Sequence, residues 1–347
     1  MEIYLDNAAT TRVCPEAADA AYKVMTEVYG NPGSTHKLGR EARAVLDDSR
    51  KKLAAALGCA PKEVYFTSGG TESDNWAIRL AAHQNRRVGK HIITTAVEHS
   101  AVLEPCRQLE QEGYAVTYLA PDRQGNITAQ QVADALREDT ALVSVMLVNN
   151  ETGCVFPVVE IARLLRERGS RALLHTDAVQ AFLKLPFRAD TLGADLISVS
   201  GHKLNAPKGV GALYIGPRCR AVRPLLAGGG QERGLRSGTE ATAQVAGFAK
   251  AVELRLAGYE EKLAHMAQLK QYALEQLLTI DGVVRIGNGD APHILSVSLV
   301  GYPSANVVTE LGAQGICISA GSACHQEEID AFVSALRKHK ETRFPML

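Results

Sequence analysis

The sequence predicts an α/β protein: a large domain built on a mostly parallel, doubly wound sheet, with a smaller α+β domain beside it. Three observations predict it. Strand-like runs alternate with helical stretches along most of the chain. One run, "ALVSVMLVNNE" (141–151), is nearly all apolar until Asn149, as expected of a strand buried on both faces. The chain has 347 residues, 46% of them hydrophobic, enough for one large core and a smaller one. The large domain is expected over 14–250, and the smaller over 1–13 together with 251–347.

Taken in order, "THKLGREARAVLDDSRKKLAAALG" (35–58) reads as a long helix with Gly58 as its C-cap. "EVYFTSG" (63–69) reads as a strand and turn, and "TESDNWAIRLAAH" (71–83) as a helix with Thr71 as N-cap. "HIITTAVEH" (91–99) is short and β-branched, followed by the apolar run at 141–151. "FPVVEIARLLRERG" (156–169) is an amphipathic helix ending in glycine. "RALLHTDAVQ" (171–180), "DLISVS" (195–200) and "GALYIG" (211–216) are further strands. A long helical signal over 240–279 leads towards the smaller domain, which carries "HILSVSLVG" (293–301), "ICISAGSACH" (316–325) and a last helix, "EEIDAFVSALRKHK".

Composition narrows the function. Lys plus Arg equals Asp plus Glu, 38 each, which argues against nucleic acid or an anionic membrane as the main partner. No apolar run approaches the roughly 20 residues of a membrane helix. "MEIYLDNAATT" lacks a basic-then-apolar signal pattern, so a soluble, cytoplasmic protein is expected. None of the seven cysteines forms a C-x-x-C pair, so no metal site is expected. The odd count does not suggest a disulfide framework, and most of these thiols read as small buried hydrophobes.

In a doubly wound sheet, ligands bind beyond the carboxyl ends of the strands. Polar groups fall at those ends here: Ser68 to Thr71, His99, Asn150, Asp177 and the run Ser200–Lys203. Lys203 follows a buried strand in a Gly/Pro-rich turn, "SGHKLNAPKG", which points it into a cleft rather than outward. A partly desolvated lysine has a lowered pKa and can form a Schiff base. Pyridoxal phosphate needs such an anchor, and also a carboxylate for its ring nitrogen. Asp177 is placed for the second role, although a turn or helix-capping aspartate would look the same. Gly70 and Thr71, with Ser200 and His202, can supply donors to a phosphate. His99 can lie against the ring, although a lone histidine is more often structural.

Ordered motifs along nearly the whole chain resemble the group I cysteine desulfurases of the class V aminotransferase family. They are "YLDNAATT" (4–11), "YGNPGSTHKLGR" (29–40), "TSGGTESDN" (67–75), "EHSAVL" (98–103), "VNNETG" (148–153), "HTDAVQ" (175–180), "SGHKLNAPKGVGALY" (200–214), "GGGQERGLRSGTE" (228–240) and "ISAGSACH" (318–325). The resemblance implies the fold of type I pyridoxal-phosphate transferases. It implies that Lys203 is the Schiff-base lysine, and that His99 stacks on the ring and moves protons. Asp177 would pair with the ring nitrogen and Gln180 with the phenolic oxygen. Asn150 would lie near that oxygen and the substrate carboxylate. Gly70, Thr71, Ser200, Gly201 and His202 would hold the phosphate. Thr239 would reach the phosphate of a neighbouring subunit, which implies a homodimer.

Cys324 sits in "SAGSACH", where small residues favour a loop that can move. The resemblance implies that its thiolate takes sulfur from L-cysteine, leaving alanine, and passes it to an acceptor or scaffold protein for iron–sulfur cluster assembly or tRNA thiolation. His325 could assist deprotonation or could equally be solvated. Cys317 reads as buried and inert. One departure stands out: "SACHQ" runs directly into "EEIDAFVSAL", where the family continues through a helix and a strand carrying an arginine clamp for the substrate carboxylate. Neither Arg337 nor Arg343 matches that clamp. A real deletion after Gln326 would leave a chain able to hold the cofactor yet poor at turnover. A selenocysteine lyase or an aminotransferase on the same platform is the other alternative, although an aminotransferase needs no such thiol.

Overall fold

The computed structural model describes residues 2–220, 222–319 and 333–336. The elements follow in order: β1 (Ile3–Tyr4), α1 (Pro15–Glu27), α2 (Lys37–Leu57), β2 (Val64–Thr67), α3 (Gly70–Gln84), β3 (His91–Thr95), α4 (Ser100–Gln111), β4 (Ala115–Leu119), α5 (Ala129–Ala135) and β5 (Thr140–Ser144). Then come α6 (Val158–Glu167), β6 (Leu173–Asp177), α7 (Ala189–Leu192), β7 (Leu196–Ser200), β8 (Gly211–Ile215), α8 (Thr242–Leu256), α9 (Tyr259–Leu277), β9 (Val283–Arg285), β10 (Val297–Leu299), α10 (Ser304–Ala313) and β11 (Ile316–Cys317).

The large sheet has seven strands in the order β2-β8-β7-β6-β5-β3-β4. β8 runs antiparallel to both of its neighbours, and the other pairings are parallel. Parallel neighbours need long crossovers, which the helices supply on both faces. Side chains alternate between those faces. Ile92, Leu142, Leu173 and Leu196 enter a core with α3 and α4. Their successors Ile93, Val143, Leu174 and Ile197 enter the opposite core. Both faces are therefore apolar, which is why these strands read as unbroken apolar runs. Two residues further on, the α3 face turns polar: Thr94, Ser144, His175 and Ser198 replace the aliphatic row, all buried. That polar layer lies next to the carboxyl ends of the strands.

A separate core gathers Ile3, Leu5, Leu269, Leu277, Leu299 and Leu311 around α9 and α10, with Val333 and Leu336. β1 pairs in parallel with β11, so the N-terminal segment is tied to residues more than 300 positions away. Two expectations need correction. The helical signal over 240–279 is two helices, because Gly258 adopts a left-handed φ of 66° and breaks it. The helix expected from Thr71 starts at Gly70 and has Gly69 as its N-cap, at φ 155°. The apolar run at 141–151 leaves the regular ladder after Ser144. Even so, the N–H groups of Val145 and Leu147 still donate to the carbonyls of His175 and Asp177. Among the described residues no helix is long and apolar enough to cross a membrane.

Candidate active site

The carboxyl ends of β2, β3, β5, β6 and β7 open on a cavity of ≈ 620 Å³, a size suited to a small-molecule ligand. Gly70 and Thr71 reach it from the start of α3, and His99 and Asn150 from the loops after β3 and β5. Asp177 and Gln180 reach it from the end of β6, and His202 and Lys203 from the turn after β7. Ser200 and Gly201 are buried just behind. Thr239 is exposed and does not line this cavity. Cys324, His325, Arg337 and Arg343 lie outside the described residues.

Lys203 ends a single 3-10 turn, Gly201–Lys203, that follows β7 directly. Its Nζ donates to the Ala8 carbonyl and, at 2.8 Å, to that of Ala9. Burial lowers its pKa, and Asp177 and Asp6 oppose that shift. The segment it meets is itself stitched to the lysine turn. Thr11 Oγ1 donates to the His202 carbonyl at 2.8 Å, and the Asn205 N–H donates back to Thr11 Oγ1 at 2.7 Å. His202 Nδ1 lies 3.1 Å from Thr10 Oγ1. Burial, then the Lys203 charge, pushes the His202 pKa down to about 4, so its ring is neutral at pH 7.

His99 caps α4: its Nδ1 accepts the Ala101 N–H at 3.1 Å, which fixes the ring and leaves the proton of the neutral ring on Nε2. Gln180 spans the cavity edge, donating to the Ala8 carbonyl at 2.9 Å and accepting from Lys184 Nζ at 3.3 Å. Asp177 accepts the Val179 N–H at 2.8 Å. Burial, then the neighbouring Asp74 carboxyl, raises its pKa to about 7.

The residues fit a phosphorylated pyridine aldehyde. An amine, a carboxyl and a helix N-terminus converge on one cavity. The first N–H groups of α3 have no partner within the helix, and beside them Ser200 Oγ is buried without a hydrogen-bond partner among the described residues. Both suit an anion. Gly211 on β8 packs against this turn: a Cβ there would lie 2.8 Å from Gly69 Cα and 2.7 Å from the Val199 carbonyl oxygen. Gly211→Ala is therefore expected to displace the Gly69 turn and weaken phosphate binding by about tenfold or more. Titration of the purified variant with the cofactor checks this, and unchanged affinity in a folded variant would contradict it.

Sequence reasoning missed Asp74, His175, Glu98 and the role of Ala8 and Ala9. His175 stands two residues before Asp177, so both share one face of β6. Asp74 is one helical turn beyond Gly70, on the same side of α3. Those spacings were the available signal. Glu98 is buried, with Oε1 accepting the Met146 N–H and the Thr95 hydroxyl, each at 2.9 Å.

Residues 3–343 match the Aminotransferase class-V family. The chain is 42% identical over 330 residues to "Cysteine desulfurase IscS" of Methanosarcina thermophila, covering 94% of this chain and 81% of that relative. The chain belongs to the cysteine desulfurase family. A solved "NifS-like protein" superposes with a TM-score of 0.95 at 35% identity, covering 99% of this chain and 100% of that one. "SspA in complex with cysteine" superposes with a TM-score of 0.78 at 32% identity, covering 97% of each.

Most of the described cysteines are poor candidates for the thiolate that the resemblance implies. Burial pushes the Cys59, Cys106 and Cys219 thiols up to about 12. Cys154 is buried, and Cys317 lies in β11, where its backbone is paired with Tyr4. Among the described residues no group of three or more His, Cys, Asp or Glu could hold a metal ion.

Proposed function

We propose that this chain is a pyridoxal-phosphate-dependent cysteine desulfurase that converts L-cysteine to L-alanine and passes the sulfur to an acceptor protein. One observation carries the reading: in a chain of this family, Lys203 Nζ, the Asp177 carboxyl and the α3 N-terminus converge on one cavity. When bound, the cofactor supplies an electron sink for charge that develops at the substrate Cα. Lys203 would hold its aldehyde carbon, then serve as the free amine that moves the Cα proton. Its lowered pKa favours that role, because more of the amine is unprotonated. Asp177 would hold the ring nitrogen, Gln180 and Asn150 the phenolic edge, and His99 the ring face. Gly70, Thr71, Ser200, Gly201 and His202 would form the phosphate cradle.

The Cys324 thiolate would attack the substrate sulfur. The Cβ–S bond breaks, Cβ gains a proton to become the alanine methyl group, and Cys324 keeps the sulfur as a persulfide. Transfer to a scaffold for iron–sulfur assembly, or to a carrier for tRNA thiolation, would follow in the cytoplasm. A homodimer is part of the reading. Tyr22 and Met25, one turn apart on α1, are 65% and 56% exposed, and Thr239 is exposed and does not line the cavity of its own chain. The division into 14–250 and 1–13 with 251–347 is supported by the separate core around α9 and α10.

The test uses the purified chain with pyridoxal phosphate. A yellow protein should form, and L-cysteine with a reductant should give alanine and sulfide in equal amounts. Cys324→Ser should keep the colour and lose sulfur transfer to a protein acceptor. A chain that stays colourless, or a Cys324→Ser variant that transfers at the full rate, would sink the respective part. The departure after Gln326 favours a second reading, a member that binds cofactor but turns over poorly. A yellow protein that makes no alanine would identify it.

A further inference from the structure

We propose that Asp74 is a positioning residue for the cofactor ring: it keeps one proton and donates it to the Asp177 carboxylate, so that the buried pair presents a single negative charge to the ring nitrogen. This rests on reading the cavity as the cofactor site. The geometry comes from two elements. β6 turns His175 and Asp177 towards α3, and α3 sets Asp74 over them, one turn beyond Gly70. Asp74 is 1% exposed and Asp177 7%, yet both line the cavity. The Asp74 carboxyl faces the Ser198 hydroxyl and the Asp177 carboxyl. Its Oδ1 lies 3.4 Å from His175 Nε2 and has no hydrogen-bond partner among the described residues.

The charges around the pair leave room for one carboxylate, not two. From β6, His175 is wholly buried, with Nδ1 2.8 Å from Ser144 Oγ and Nε2 3.1 Å from Ser198 Oγ. Burial drives its pKa down to about 4, so it brings no positive charge at pH 7. From β5 and β7 come only the hydroxyls of Ser144 and Ser198. From the start of α4 come His99 and Glu98, and burial raises the Glu98 pKa well above the usual range. From the turn after β7, the Lys203 amine is held by the Ala8 and Ala9 carbonyls. Two contacting, buried carboxyls without a paired cation share one proton. Burial raises both to about 7; the Asp74 charge adds to the rise at Asp177, while at Asp74 the hydrogen bonds with Ser198 and Asp177 oppose it.

The consequence concerns the ring proton. Asp177 alone in this burial would be basic enough to compete for it. A hydrogen bond donated by Asp74 stabilises the Asp177 anion and makes it the weaker base, so the proton stays on the ring nitrogen. One negative charge then meets one positive charge in a buried site.

Carboxyl ¹³C titration of the full-length apoprotein, labelled in aspartate, tests the pair without any turnover. The wild type should show two coupled steps, the upper one near or above neutrality. Asp74→Asn, which keeps an N–H donor, should remove one step and lower the Asp177 step by about one unit or more. Asp177→Asn should lower the Asp74 step in the same way. In the loaded enzyme, Asp74→Asn should keep the visible spectrum and its pH profile. Asp74→Leu should weaken cofactor affinity by about tenfold or more. An Asp74 carboxyl that titrates in the ordinary aspartate range, with Asp177 unmoved in Asp74→Asn, overturns the proposal. So does an Asp74→Leu enzyme with wild-type affinity and spectrum. A wild-type chain that takes up no cofactor overturns the site reading and with it the ring's role, while the titration still decides the proton-sharing pair.

Discussion

Lys203→Ala is expected to slow alanine formation from L-cysteine by about 10³-fold or more, because one side chain supplies both the covalent anchor and the mobile base. No neighbour can replace it. Gln180 is an amide already bonded at both ends, and His202 is neutral and held on Thr10. The fold should survive, since the lost side chain gives up only two hydrogen bonds, to the Ala8 and Ala9 carbonyls at the edge of an open cavity, and the Ala8 carbonyl keeps Gln180. The cofactor should still enter, held by the α3 N-terminus and Asp177, but it should wash out on gel filtration. Borohydride reduction followed by intact-mass measurement separates the two chains: the wild type retains one cofactor permanently, and the variant none. A variant within tenfold of the wild-type rate would remove Lys203 from its assigned place.

The largest expected stability effect lies away from the chemistry. Arg50 on α2 makes a buried, two-pronged pair with Glu232, at 2.6 and 2.8 Å, with side chains 9% and 3% exposed. The same guanidinium donates to the Val64 carbonyl at 2.8 Å and lies 4.6 Å from the Phe66 ring centre. Glu232 also accepts the Phe66 N–H at 2.9 Å. The pair thus clamps the loop over 228–240 onto β2, and it holds Glu232 and Arg233 at left-handed φ values of 46° and 60°. Arg50→Met would leave Glu232 buried and unpaired, at a cost of about 3–5 kcal/mol. Urea unfolding followed by circular dichroism should show that loss as a lower midpoint. The double variant Arg50→Met/Glu232→Met should recover part of it. A loss below about 1 kcal/mol, the range of exposed pairs, would mean that the pair is not desolvated. The same loop sends Arg236 to Glu72 at 2.7 and 3.0 Å, next to Thr71, so cofactor affinity should fall along with stability.

How legible all this was depends on the range of the forces involved. The central strands were readable because burial on both faces demands mostly apolar residues, and runs such as "DLISVS" carry that demand locally; the edge strand β4, partly exposed, was not read. Gly58 was readable as a C-cap because a left-handed φ of 71° needs glycine there. Gly258 carries the same signal, but the strong helical pattern on both sides masked it. Most of the proposed site was legible for a topological reason: polar residues at the ends of parallel strands fall on one edge of the sheet. Asp74 was not legible, because a helix aspartate reads as solvated surface until the partner strand beneath it is known. Ala8 and Ala9 offer only backbone carbonyls, which no residue type announces.

From the amino-acid order alone follow most of the sheet strands, the helices α2, α3 and α6, the family, the lysine turn, the aspartate at the end of β6 and the small-residue cysteine motif. Each is written in consecutive residues, where local propensity and burial period leave a direct trace. The partners of those groups were settled only by the tertiary structure: the N-terminal segment that receives Lys203, the carboxyl behind Asp177, and the ion pair that clamps the loop over 228–240. Such contacts join positions as far apart as Thr11 and His202, 191 residues along the chain. Their energies come from desolvation and pairing in a shared interior, a property of the packed neighbourhood that neither segment carries by itself.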